Sequence, residues 1–243
     1  MGKLSIILPS AQGTTSQLLS IGNRYEDAWG RTFHYAFCTT AIGRGKLAAG
    51  AAIVANHNNL SFQTAPAVGD KSVKVTLGGT AATAEQYKDG WLVVNDGTGE
   101  GRAYPIEGHI AQTSTTGTLE VLLKEAIDTA GVLSEANVDL VYNRYDELLV
   151  QSGTTQTYVP AGVPIMVGGL GASEYGYIQT WGPCAVWADE ANDAVGTSIT
   201  FGAGTGTGQY ECVDAATEPF LGVTGPSTVV ATEYPLVYLM IDR

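Results

Sequence analysis

The chain has 243 residues, a formal net charge of −12, only 15 % charged residues and 31 glycines. Globular chains usually carry about 25 % charged residues and about 7 % glycine. This composition points to strands and turns and argues against a coiled coil, a helical bundle or a charged disordered tail. The acidity argues against a nucleic-acid partner, which needs a cationic footprint.

Residues 1–28 hold one apolar run, Leu4-Ser5-Ile6-Ile7-Leu8, followed by the polar stretch Gln12 to Gln17. They read as an extended arm that, with no core of its own, is either disordered or laid on something else. The first fifty residues lean cationic, with Lys3, Arg24, Arg31, Arg44 and Lys46 against Glu26 and Asp27. The segments Thr32 to Phe37 and Leu47 to Val54 read as strands separated by a Gly43-Arg44-Gly45 break. Ser72 to Leu77 alternates, with Val73, Val75 and Leu77 on one face, the signature of a half-buried strand. Trp91 to Val94, Arg102 to Ile106, Thr118 to Leu123 and Val138 to Tyr142 follow as strands. Asn95-Asp96-Gly97 marks a turn, because Asn and Gly tolerate positive φ. Glu125 to Leu133 is expected to form one or two helical turns.

Val159 to Val167, Tyr175 to Trp187, Ser198 to Phe201 and Phe220 to Val223 read as further strands, with a glycine-threonine turn from Gly202 to Gly208. The last strand, Pro235 to Ile241, is apolar on both faces, which predicts a central strand covered on both sides. The expected fold is all-β: an antiparallel barrel or sandwich with an inserted β-rich subdomain and an extended N-terminal arm. The expected division is 1–28 for the arm, 29–71 with 144–243 for the barrel, and 72–143 for the insert. A simple two-domain split near 145 is the alternative. Charge is uneven: no Lys or Arg falls between Tyr145 and Asp242, while acidic residues recur there. Such asymmetry suggests two ends with different neighbours.

Catalytic signatures are sparse. There is no Gly-x-Ser-x-Gly elbow and no HExxH. His34, His57 and His109 are dispersed, and none pairs with Cys or carboxylates at metal-ligand spacing. Asp96 to Glu107 loosely mimics a calcium loop, but Thr98 and Glu100 break its pattern. Gly202 to Gly208 leads into Gln209-Tyr210-Glu211 rather than a helix, so no helix N-terminus meets a phosphate there. Asp189, Glu190 and Asp193 near Trp181 and Trp187 fit an exposed acidic loop, or carboxylates that bind or hydrolyse a sugar. No cofactor and no metal are expected, and no enzymatic role. Three widely spaced cysteines, Cys38, Cys184 and Cys212, exclude a disulfide scaffold. No secretory pattern opens the chain, and no apolar run approaches the ~18 residues of a membrane span. Synthesis in a reducing cytoplasm and no membrane partner are therefore expected.

Three segments carry a resemblance. Tyr87-Lys88-Asp89-Gly90-Trp91-Leu92-Val93-Val94-Asn95-Asp96-Gly97-Thr98-Gly99-Glu100-Gly101 resembles a stretch common in structural proteins of tailed-bacteriophage virions. Tyr175 to Val186 does likewise, and Gly30 to Tyr35 with Leu47 to Gly50 is similar to their first barrel strands. Within that group the chain looks most like a capsid decoration, or cement, protein. The resemblance implies a β-rich homotrimer on the outer surface of the phage head, bound to the major capsid protein. It also implies a capsid-binding arm, for which Lys3, Leu4, Ile6, Ile7, Leu8 and Arg24 are the candidates. Tyr175, Tyr177 and Trp181 are the candidate oligomer contacts. A virion fibre or receptor-binding component that recognises cell-surface glycan through Trp181 and Trp187 is the alternative, and a glycan hydrolase using Asp189 and Glu190 is a third reading.

Overall fold

A computed structural model describes residues 11–131, 137–151, 158–189, 194–202, 207–228 and 230–243. Sixteen strands run through these residues, all paired antiparallel. In chain order they are β1 (Arg24–Glu26), β2 (Thr32–Cys38), β3 (Ala48–Ala49), β4 (Leu60–Ser61), β5 (Ser72–Thr76), β6 (Trp91–Asp96), β7 (Ala103–Gly108) and β8 (Thr118–Leu123). Then come β9 (Asn137–Val141), β10 (Leu149–Val150), β11 (Pro160–Pro164), β12 (Glu174–Ala185), β13 (Ser198–Phe201), β14 (Tyr210–Cys212), β15 (Gly222–Thr224) and β16 (Leu236–Met240). The protein is all-β, and its only helical element among the described residues is a single 3-10 turn, Ala55–His57. No helix among the described residues is long and apolar enough to cross a membrane.

The chain divides into a discontinuous unit, Met1–Ala51 with Arg144–Arg243, and an inserted unit, Ala52–Asn143. The first boundary therefore falls at 51/52 rather than at 71/72. Residues 52–71 join the insert because β4 pairs with β9, and Phe62 bridges Val75. The two ends of the discontinuous unit that flank the insert lie side by side. A Cβ on Gly50 would stand 2.6 Å from the Arg144 carbonyl oxygen, so only glycine permits this approach.

The inserted unit is a six-stranded sheet in the order β4-β9-β6-β7-β8-β5. The Phe62–Val75 bridge and the Gln63 N–H to Lys74 carbonyl bond, 2.8 Å, bring its two edges together into a nearly closed barrel. Its strands alternate apart from irregularities in β6 and β7, so Val73, Val75, Leu92, Leu119, Val121 and Leu140 fill the interior. Residues 125–131 form no helical turn. Ile127 N–H instead donates to the Asp70 carbonyl, 2.8 Å, and Tyr104 Oη donates to Asp128 Oδ1, 2.6 Å, so tertiary partners override the local helical preference.

The discontinuous unit is a ten-stranded, half-barrel sheet organised around β12. This strand pairs with β2 along Glu174–Trp181, with β11 at Ile178 and Gln179, and with β16 along Trp181–Ala185. Two cores form: Phe33, Tyr35, Ala48, Met166 and Ile178 belong to one, and Ala49, Val163, Ile199, Val237 and Leu239 to the other. The neighbouring residues Ala48 and Ala49 thus face opposite cores.

The described part of the expected arm lies on this unit. Arg24 to Glu26 pair with β2, and Thr14 exchanges backbone hydrogen bonds with Tyr175 at 2.9 and 2.7 Å. Lys3, Leu4, Ile6, Ile7 and Leu8 lie outside the described residues. The last strand is central, between β12 and β15, but covered on one face only. Val237 and Leu239 are buried, whereas Tyr238 and Met240 are 39 % and 37 % exposed.

Candidate interaction surface

Antiparallel pairing places directly opposed residues on the same face. Trp181 lies opposite Met240, Pro183 opposite Tyr238, and Ala185 opposite Leu236. Val223 of β15 continues the row from Tyr238. All seven reach solvent in whole or in part, and none is charged. A solvated sheet face normally carries polar residues. This one presents Trp, Tyr, Met, Leu, Val and Pro, the residue types that mark contact surfaces.

The local sequence builds this face through a bulge. Between Gln179 and Trp181 the register of β12 against β2 slips by one residue. The buried Gln179 side chain spans the irregularity, its Nε2 donating to the carbonyls of Trp181 at 3.0 Å and Pro183 at 2.8 Å. Gly182 takes φ +87° and lies against the turn at Gly30, where a Cβ would stand 3.1 Å from the carbonyl. Thr180 Oγ1 donates to the Asp242 carbonyl, 2.6 Å, and ties the end of the chain to β12. Bulges turn a side chain toward a new direction, and here the bulge gives Trp181 its outward aim.

The adjoining turn exposes a second indole. Asp27 Oδ1 accepts the N–H groups of Trp29 and Arg31, each at 3.0 Å, and Asp27 Oδ2 accepts Arg31 Nε at 2.7 Å. This tight turn holds Trp29 77 % exposed. The Arg31 guanidinium lies 5.6 Å from the Trp29 ring and 5.3 Å from the Phe33 ring.

Of the three expected oligomer contacts, the structure places only Trp181 on this face. Tyr177 is 4 % exposed, and its hydroxyl donates to Asn23 Oδ1 at 3.1 Å, so it is a core residue rather than a contact. Tyr175 is half-buried beneath Thr14, with its ring 4.6 Å from that of Phe37. Arg24 is held in the sheet and pairs with Glu26 at 2.7 Å. Sequence reading missed Tyr238, Met240 and Trp29. The signal available was Gln179-Thr180-Trp181-Gly182-Pro183, where a polar pair and a glycine interrupt an apolar strand as a bulge does.

The indoles of the glycan reading are both covered by cations. Lys46 Nζ lies 4.4 Å from the Trp187 ring, with Tyr234 stacked 6.5 Å away, and the Arg243 guanidinium lies 5.8 Å from the Trp181 ring. Of the accompanying carboxylates, Glu190 and Asp193 lie outside the described residues.

The histidines hold structure together. His57 Nε2 donates to the Thr80 carbonyl at 2.8 Å, and its Nδ1 accepts the Tyr87 hydroxyl. His109 Nδ1 donates to the Ile110 carbonyl at 3.0 Å, and its Nε2 accepts the Tyr87 N–H at 3.1 Å. His34 stacks on Tyr145 at 4.5 Å and donates from Nδ1 to Thr180 Oγ1 at 3.1 Å. Burial lowers the pKa of both His34 and His109. It pushes the Cys38 thiol up to about 11 and the Cys184 thiol up to about 12, leaving both protonated and unreactive at neutral pH. No group of three or more His, Cys, Asp or Glu side chains suited to a metal occurs among the described residues.

No family model, no curated protein and no solved structure matches this chain.

Proposed function

We propose that this chain is a virion structural protein, a decoration protein that binds the outer surface of a tailed-phage head and stabilises it by bridging major capsid subunits. The observation that carries this reading is the apolar face of β12, β15 and β16, with Arg243 beside Trp181. A face of this kind is costly to leave in water, at roughly 25 cal/mol per Å² of apolar surface, and it finds its use in association. The viral setting comes from the resemblance of the Tyr87–Gly101 and Tyr175–Val186 segments to tailed-phage structural proteins. The net charge of −12 favours a place outside a DNA-filled head. In this reading Trp181, Tyr238 and Met240 make the contacts within a homotrimer. The bound copies work without cofactor or turnover, by adding modest contacts over several subunits.

The test has two parts. Light scattering on the purified protein gives the mass of the particle, expected at three chains. Tyr238→Arg is expected to yield single chains with unchanged circular dichroism. Electron microscopy of undecorated heads incubated with the protein then shows whether ordered density is added outside the shell. Density at a tail fibre, or none on any head tested, overturns the decoration reading.

A further inference from the structure

Strands β7 and β8 of the inserted unit separate after Gly108. Their register places Ile106 opposite Leu123 and then Gly108 opposite Leu122, with Glu107 as the extra, bulged residue. Beyond that point the chain peels away from β8 and binds residues 82–87 instead. Glu85 N–H donates to the His109 carbonyl at 3.0 Å, and His109 N–H donates to Glu85 Oε1 at 3.1 Å. Ala82 and Gln112 exchange backbone bonds of 2.9 and 2.8 Å. Gly108 is required at the fork, because a Cβ there would stand 2.6 Å from Glu85 Oε2.

The separation leaves a slot. On β8, Leu123 N–H donates to the Lys71 carbonyl at 2.9 Å, and Val121 and Leu119 lie opposite Val73 and Val75. Alternation along the strand therefore turns the backbone groups of Thr118 and Glu120 toward the slot; the Thr118 carbonyl already accepts Gln112 Nε2 at 2.7 Å, which leaves the Glu120 groups as the edge. Two adjoining cavities, of 320 and 370 Å³, share Ile110 and Glu120. Ile110 is 78 % and Leu122 45 % exposed at its rim. Glu85, Glu107 and Glu120 line the first cavity. Glu107 has neither hydrogen bond nor ion pair among the described residues.

We propose that this slot receives residues 3–8 of a second copy of the chain as an added strand. In an extended strand Leu4, Ile6 and Leu8 would share one face, with Ser5 and Ile7 on the other, and Lys3 adds a cation at one end. Of the stretches outside the described residues, 1–10 alone holds a Lys or Arg, opposite in charge to Glu85, Glu107 and Glu120 of the first cavity; the second cavity is lined by Lys74 as well as Glu120. Strand addition takes affinity from main-chain hydrogen bonds and specificity from pockets for alternate side chains. The Glu120 edge offers the first, and Ile110 with Leu122 the second. The inference goes beyond the decoration reading and needs only two copies of this protein.

The test uses the full chain, mixed in equal parts at natural abundance and 15N-labelled, and treated with a carbodiimide that joins amine to carboxylate at zero length. Mass spectrometry then separates mixed-isotope pairs from same-chain pairs. The expected result is Lys3 joined to Glu107 or Glu120 in mixed pairs. That yield should fall about tenfold in Ile6→Asp, a loss near 1.4 kcal/mol of docking, and should fall likewise when excess synthetic peptide spanning residues 1–10 is added. Joining only within one chain, joining of Lys3 to other carboxylates alone, or a mixed yield indifferent to Ile6→Asp and to the peptide each overturns the proposal. None of these outcomes depends on whether the protein binds a phage head.

Discussion

The two units reach stability by different routes. In the inserted unit every long strand alternates, with buried and exposed positions trading places residue by residue. One nearly closed interior receives most of the apolar side chains, while Trp91, Ile110 and Leu122 remain on the solvent side. In the discontinuous unit β2 buries six of its seven residues, and β12 buries a run from Gly176 to Thr180. There the sheet has material on both sides, including residues of the expected arm such as Ile21. Both units bury polar groups, but here they lie within the strands: His34, Gln179 and Thr180 hydrogen-bond to neighbouring side chains or carbonyls, whereas His57 and His109 of the inserted unit lie outside its strands. The closed unit depends on pattern, and the open one depends on particular contacts.

Substitution sharpens this difference. The largest effect is expected from Leu239→Asp, which places an unpaired charge in the second core of the discontinuous unit and costs about 4 kcal/mol or more. Hydrogen exchange should then rise across β12, β15 and β16, while Leu92 and Leu140 segments of the inserted unit stay protected. Equal loss of protection in both would show that the two units do not fold separately. Ile241→Asp, at a half-buried position, should cost less.

Gly222→Ala comes next. Gly222 has φ +153°, and a Cβ would stand 2.1 Å from the Tyr238 carbonyl oxygen at the β15–β16 contact. Strain and overpacking together should cost about 3 kcal/mol, read as a lower urea midpoint. An unchanged midpoint would mean the backbone there gives way easily.

Acid should loosen both units. His109 in the inserted unit and His34 in the discontinuous one have pKa values lowered from the ordinary 6.5 by burial. The unfolded chain therefore takes up protons first as pH falls. Stability from these groups is full above about 6.5 and declines as pH drops through that value toward the lower folded ones. Denaturant melts from pH 8 to 5 should show this slope, and His109→Gln should flatten it for the inserted unit alone. The smallest effect belongs to Tyr177→Phe, which removes the bond to Asn23 Oδ1 and should cost about 0.5–1.5 kcal/mol. A cost within error would show that the Tyr177 hydroxyl contributes nothing there.

The inserted unit was the more legible of the two. Val73, Val75 and Leu77 read as one buried face, and all three are buried. The division near residue 52 was hidden, because β4 is two residues long and is recruited only by its distant partner β9. In the candidate surface Trp181 was legible as an aromatic in a glycine-rich strand. Tyr177, four residues earlier in the same segment, looked equivalent and is core instead. The two differ through the one-residue slip between them, which no local composition reveals.

Sequence alone determined that this chain is built of antiparallel strands, because alternation, β-branched residues and glycine turns are local properties. It also determined the acidity. Only the tertiary structure decided which apolar residues reach solvent. Val237 and Tyr238 are both apolar neighbours on β16, yet one is sealed in a core and the other faces out, since burial depends on which elements pack over each face and not on the strand itself.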